Sequence, residues 1–387
     1  MVKKSIIANL IFVVVLCYII SPWFFEKKLL FNEFLSLTGM LILFYKRFKT
    51  GGDLISRWIL FLLSWAIVHI VLSIFRMDSI YYYLRNLVIV YSVFSFYLGY
   101  FLYPYLKAFI NRLYQFFKVY ISVLLIIPIS TFLFERFVMS TLFPVVIKKL
   151  SVVWILPSLI ILNVIYAFTY DSATAIALAA FYFLLLAIPS YRFFQQLVFV
   201  ILIAFSVFFI WIQPNLALIS EKNFTPYNSD AIYEVINSNR LLSLDGNTTW
   251  RLVLWKQVIV DNFPQNIFGL GFGTPLMKYY PVEDFSKLSS LPYVMGAHNS
   301  YIYLFGRLGI LYIVFLIPVL TKIFKEYFYY KRYYYNNKTI LLFFSFFAIT
   351  IVALFNPTLE SPIYASLYWI LLGFLAKAMY NRMLYQA

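Results

Sequence analysis

The chain has 387 residues, of which 63% are hydrophobic and 22% aromatic. Only 12% are charged, against about 25% in an ordinary globular protein, and a soluble domain of ~300 residues buries only ~75% of what its unfolded chain exposes, so lipid must be the solvent. One cysteine and two histidines exclude a disulfide framework, a cysteine-ligated zinc and an all-histidine metal site, and the formal charge of +16 has to be located before nucleic acid can be considered.

A bilayer core needs ~20 mostly apolar residues per helix. In chain order the candidates are 5–24, 29–45, 58–75, 86–105, 119–134, 152–169, 172–189 and 197–213, then 301–321, 339–356 and 362–380. Lys3 and Lys4 before the first stretch suggest a signal peptide. That stretch, which holds Cys17, is long, lacks a small-residue cleavage site and is followed by many more spans, so it reads as an uncleaved helix.

Residues 214–298 form the long polar region. Seven acids against six bases leave it at −1, so the rest of the chain carries +17. The basic residues flank span ends: Lys3/Lys4, Lys46/Arg47/Lys49/Arg57, Lys107/Arg112/Lys118, Lys148/Lys149, Arg192 and Lys322/Lys325/Lys331/Arg332/Lys338. Short loops rich in Lys and Arg stay in the cytoplasm, which sets aside nucleic acid and turns the 214–298 loop outward. The tyrosines from Tyr327 to Tyr335 then read as an interfacial aromatic belt. An outward loop after a cytoplasmic N-terminus needs an odd number of crossings before it. A short, Pro144-containing segment at 137–147 supplies the missing one. The expectation is an all-α polytopic membrane protein of about twelve transmembrane helices with one large, partly helical outward loop. It divides into 1–213, 214–298 and 299–387, with both termini cytoplasmic.

Within the loop, Trp250, Leu254 and Val258 share one face of a helix, and Thr248 or Thr249 can cap it. Arg251 and Trp255, four apart, lie together on that helix. Gly269, Gly271 and Gly273 follow in a turn-rich piece. Their spacing does not match a dinucleotide fingerprint, and a surface turn is the reading, with flexible backbone beside a ligand as the alternative. The loop closes on Met295-Gly-Ala-His298-Asn299-Ser300-Tyr301, where the apolar pattern resumes. His298 therefore sits at a helix N-terminus, whose free N–H groups attract anions. Arg251 offers a planar cation able to grip phosphate bidentately. Together they point to an anionic, lipid-carried substrate. The alternative is an interface histidine and a solvated arginine. His69, mid-helix on an apolar stretch, reads as a packing residue, and Asp245 and Asp261 are the lesser candidates for a base.

Arg251-x-x-x-Trp255, Phe268-Gly269-x-Gly271 and His298-Asn299-x-Tyr301, with Gly309 further on, resemble the O-antigen ligase and O-antigen polymerase superfamily. The resemblance is specific over roughly 250–310. It implies a bacterial inner-membrane, metal-independent, inverting glycosyltransferase without a cofactor, with the large loop in the periplasm. Such an enzyme moves a glycan from undecaprenyl diphosphate to an acceptor hydroxyl. In family terms Arg251 would hold the diphosphate and His298 would contact acceptor or leaving group. Arg240, Trp255, Asn299, Tyr301 and Arg307 would line the substrate. Two positions depart from the family pattern: Ala173 stands where an arginine is frequent, and Arg307 where a glutamate is. The altered arginine pattern favours a polymerase, whose donor and acceptor are both lipid-linked oligosaccharides, over a ligase acting on lipid A-core or protein. A chain-length regulator is the further partner the polymerase reading implies. From a different class, a flippase of lipid-linked oligosaccharides also needs many helices and interfacial cations. The large loop and the lack of repeat symmetry between halves count against it.

Overall fold

In lipid every backbone N–H and C=O must pair within the chain, so uninterrupted apolar runs become helices. A computed structural model describes residues 31–45, 54–106, 108, 152–170, 172–222, 232–237, 240–277, 296–333 and 339–386. The expected spans 5–24, 119–134 and 137–147 lie outside them. The described helices are α1 (Phe31–Tyr45), α2 (Leu54–Ile74), α3 (Ile80–Tyr105, with two short tighter turns), α4 (Val152–Tyr170), α5 (Ala173–Ala187) and α6 (Tyr191–Lys222). After the polar loop come α8 (Ser300–Tyr333), α9 (Thr339–Phe355) and α10 (Pro362–Gln386), with α7 (Gly246–Lys256) inside the loop. Among the described residues α2, α3 and α8, with Tyr191–Pro214 of α6 and Pro362–Arg382 of α10, are long and apolar enough to cross a membrane; α1, α4, α5 and α9 are apolar but shorter.

The loop is not purely helical. Ile232–Asn237 (β1) and Arg240–Asp245 (β2) form an antiparallel hairpin in which Asn237 faces Arg240 across a two-residue connection. Ile, Tyr and Val suit a strand, and apart from this hairpin the described elements are helical, as the all-α expectation with a partly helical loop has it. The helix expected over 250–260 begins earlier, at Gly246, and its last residues, Gln257–Asp261, widen into a π-turn.

Phe343, Phe344, Phe346 and Phe347 put α9 at the centre of the bundle, fully enclosed. Around it α10 packs against α3 so closely that a Cβ on Gly99 would overlap the Ile370 backbone and one on Gly373 the backbone of Phe96 and Tyr100. Small residues permit this contact between helices in lipid. α6 lies at the periphery, with Phe199, Val200, Leu202 and Ile210 exposed for lipid. At the opposite end from the loop, Lys331 of α8 donates to the carbonyls of Leu185, Leu186 and Ile188, capping the C-terminus of α5. Glu326 there pairs with Lys322 and Arg382 at 2.9 and 2.6 Å.

α8 is interrupted at Gly309, whose φ of 74° is left-handed. The carbonyls freed there are taken up from outside the helix. Leu270 N–H donates to Gly306 O at 2.8 Å, Gly271 N–H to Arg307 O at 2.9 Å, and the Trp65 indole of α2 to Leu308 O at 2.6 Å. The glycine-rich piece is thus docked against the broken helix, with Phe272 wholly buried, and is not the surface turn expected from sequence. Its far side is fixed by Ser73, whose hydroxyl accepts from Phe272 N–H at 2.8 Å, and by Gly273 O, which accepts from Asp78 and Ser79 N–H. A Cβ on Gly309 would meet Ile267 O and Phe268 O. Gly309→Val should therefore lower stability by about 2 kcal/mol or more, measured as thermal unfolding in detergent. An unchanged melting temperature would mean that the break and the docked loop are not required for the fold.

Candidate functional site

α7 carries Arg251 and Trp255 one turn apart. The Trp255 indole donates to Ala297 O at 2.7 Å, and Phe205 of α6 packs edge-on against the same ring at 6.0 Å. This bond fastens the end of the loop to α7 and brings His298 into the field of Arg251. His298 itself adopts φ 50°, a left-handed backbone uncommon for a residue with a side chain. Such conformations persist where the surroundings fix them, and they concentrate at functional sites. Asn299 then caps α8: its Oδ1 accepts from the N–H groups of Tyr301 and Ile302 at 3.0 and 3.1 Å.

Burial, and then the Arg251 guanidinium, push the His298 imidazole down from 6.5 to about 4. At neutral pH the ring is uncharged and presents a lone pair. A hydroxyl can donate to it, and an arriving anion that offsets Arg251 strengthens it as a base. The sign follows directly. Removing the arginine removes one of two causes, so Arg251→Ala should raise the His298 value, although burial still holds it below 6.5. With only two histidines in the chain, NMR of the histidine-labelled protein resolves this titration. An unmoved His298 titration in Arg251→Ala would show that the two side chains are not electrostatically coupled.

The other sequence candidates have different placements. The polar groups of Trp255 and Asn299 serve the two contacts above, and Tyr301 donates to Thr350 O of α9 at 3.3 Å. Arg307 is buried, lies over the Tyr303 ring at 5.1 Å, and donates through Nη1 to Gly271 O at 3.0 Å and Thr274 O at 2.5 Å. These four residues form the frame of the site. Arg240 and Asp245 lie in β2, with side chains outside the described part. Asp261 pairs with Lys256 at 2.6 Å on the exposed side. His69 is buried edge-on against Trp65 at 4.9 Å, with its Nε2 sealed without a hydrogen bond among the described residues. No cluster of metal-ligating residues occurs among the described residues.

Sequence reasoning missed Glu360, in the turn between α9 and α10. Its Oε2 accepts from the Ser300 hydroxyl at 2.5 Å, and its Oε1 is sealed from solvent without a hydrogen bond among the described residues. Burial drives this carboxyl up to about 7, against the opposing pull of Ser300, local backbone N–H groups and Arg307. Ser300 is further held by Leu359 N–H at 2.9 Å, and Gly296 packs on Pro357. Asn356 of the same turn donates to Thr174 Oγ1 at 3.2 Å. The N-terminus of α5, with Ala173, therefore reaches the same end of the bundle. A signal was available: Glu360 is the sole acid after Glu326, set between two apolar spans. No family model, curated protein or solved structure matches this chain.

Proposed function

We propose that this protein is a membrane-embedded glycosyltransferase of the polysaccharide-polymerase type. It would transfer a glycan from undecaprenyl diphosphate to the hydroxyl of a second lipid-linked repeat unit at the outer face of a bacterial inner membrane. The observation that carries the reading is the pairing of Arg251 with an uncharged His298 at the capped N-terminus of α8. An arginine fork and a helix end suit a diphosphate, and a neutral imidazole suits the proton of a hydroxyl.

In this reading Arg251 neutralises charge as it builds on the leaving diphosphate, which is electrostatic stabilisation of the transition state. The acceptor oxygen forms a bond to the anomeric carbon while the carbon–oxygen bond to the diphosphate breaks with its electron pair, inverting the centre. The hydroxyl proton passes to His298 and on to water. The bound diphosphate offsets Arg251 and so raises the basicity of His298 when a proton must be accepted.

Twelve crossings and a periplasmic loop complete the proposal. Of the twelve, 5–24, 119–134 and 137–147 lie outside the described residues and rest on the sequence alone. The cationic far ends of α8 and α10, with Lys322, Lys325, Lys331, Lys377 and Arg382, suit the cytoplasm. A reporter inserted within 220–290 should behave as periplasmic and one near 327–335 as cytoplasmic. The reverse pattern would put the site on the wrong side of the membrane for this chemistry.

The decisive assay is purified protein with lipid-linked repeat units. Elongation means polymerase, glycan appearing only on lipid A-core or protein means ligase, and no covalent change means transport. Arg251→Lys keeps the charge without the fork and should retain little activity. His298→Ala should lose ~10²–10⁴-fold, the usual range for a general base. His69→Ala should affect stability at most. Full activity in both Arg251→Ala and His298→Ala would refute the assignment.

A further inference from the structure

Resting on that reading, we propose that Glu360 is a positioning residue for transfer: its carboxylate grips Ser300 and so fixes the preceding His298 in its left-handed backbone. The geometry is a clamp between two segments distant in sequence. Residues 296–300 lie against 356–360 through the Ser300–Glu360 bond, the Leu359 N–H to Ser300 bond, and the contact of Gly296 with Pro357. On the other side, Trp255 holds Ala297. His298 is suspended between these two attachments, so a change in either moves the imidazole relative to Arg251.

Ser300 has one proton and two acceptors, Glu360 Oε2 at 2.5 Å and Asn356 O at 3.2 Å. With Glu360 ionised the proton goes to the carboxylate in a charge-assisted O–H···O⁻ bond. With Glu360 neutral, that bond loses its charge and the Ser300 proton is free to turn to Asn356 O. The clamp is therefore tight above the carboxyl's titration and slack below it. In the donor-free protein burial places that titration near 7 while burial and Arg251 hold His298 near 4, so a change around neutrality in the absence of donor belongs to the carboxyl. Among the described residues the charged and titratable groups that act on Glu360 are Arg307 and Tyr303 of α8, and Arg85 of α3 acts in turn on Tyr303. Arg307 is fixed to Gly271 and Thr274, and α5 contributes Thr174, which is neutral.

Two measurements test this. Transfer by the wild type should rise about tenfold from pH 6 to pH 8, as one group titrating near 7 requires, whereas Glu360→Gln should stay near the low-pH rate throughout. Independently of activity, carbethoxylation of His298 by diethyl pyrocarbonate, followed on its own peptide by mass spectrometry, should slow as pH rises through about 7. That step should vanish in Glu360→Gln. Ser300→Ala, which keeps the carboxyl and removes the grip, should lose both effects and serves if Glu360→Gln fails to insert. A rate limb or a labelling step near neutrality that survives in these variants overturns the proposal. Loss of the labelling step alongside transfer that ignores His298 and Arg251 altogether would instead remove the glycosyltransferase reading and leave the clamp in place.

Discussion

The break in α8 governs the rest of the architecture. A membrane helix that opens at Gly309 exposes carbonyls in a medium with no water to satisfy them, and each unsatisfied group would cost several kcal/mol, roughly the range for a lost buried hydrogen bond in hydrocarbon. Here the carbonyls of Gly306, Arg307 and Leu308 find donors in Leu270, Gly271 and Trp65. The same contacts that repair α8 therefore anchor the polar loop and α2 to it. Arg307 reinforces them from inside by holding Gly271 and Thr274. An arginine at membrane depth is expensive unless it is engaged, and here its engagement is with backbone oxygen.

From that anchor the position of the site follows. The glycine-rich piece fixes the end of the segment that begins with α7, so α7 cannot drift from the mouth of the bundle. Asn266 adds to this by donating to Val258 O and Ile259 O at 2.5 and 3.0 Å, tying the turn back to the widened end of α7. Trp255 then draws in Ala297, and the chain has two residues in which to pass from that bond to the first turn of α8. His298 takes a left-handed conformation because Ala297 is fastened on one side and Asn299 is engaged in capping on the other.

Much of this was legible in the sequence, and the remainder was hidden for physical reasons. Long apolar runs announced the helices, since lipid leaves a chain few alternatives. The four-residue spacing placed Arg251 with Trp255, and the return of apolar residues at Ser300 placed His298 at a helix start. What periodicity could not reveal was that a membrane helix would tolerate a break at Gly309, because tolerance depends on donors supplied from far away in sequence. For the same reason Gly269 and Gly271 looked like a surface turn: their function is close approach to another backbone. Arg307 looked like a residue lining the substrate, because its acceptors are carbonyl oxygens and carbonyls carry no sequence signal. Glu360 escaped attention because it lies some sixty residues from His298, and only the fold closes that gap.

The balance of charge at the site also bears on the protonation of His298. An arginine beside a histidine in a buried place disfavours the imidazolium, so an empty site contains a neutral ring that is a weak base. An anion bound to Arg251 would offset that part of the effect by supplying the counter-charge, and burial would still act on the ring. A lysine at 251 would retain the long-range part of that effect and lose the planar fork that can hold an oxyanion bidentately. Charge and geometry are thus separate contributions at this position, and an arginine at 251 provides both.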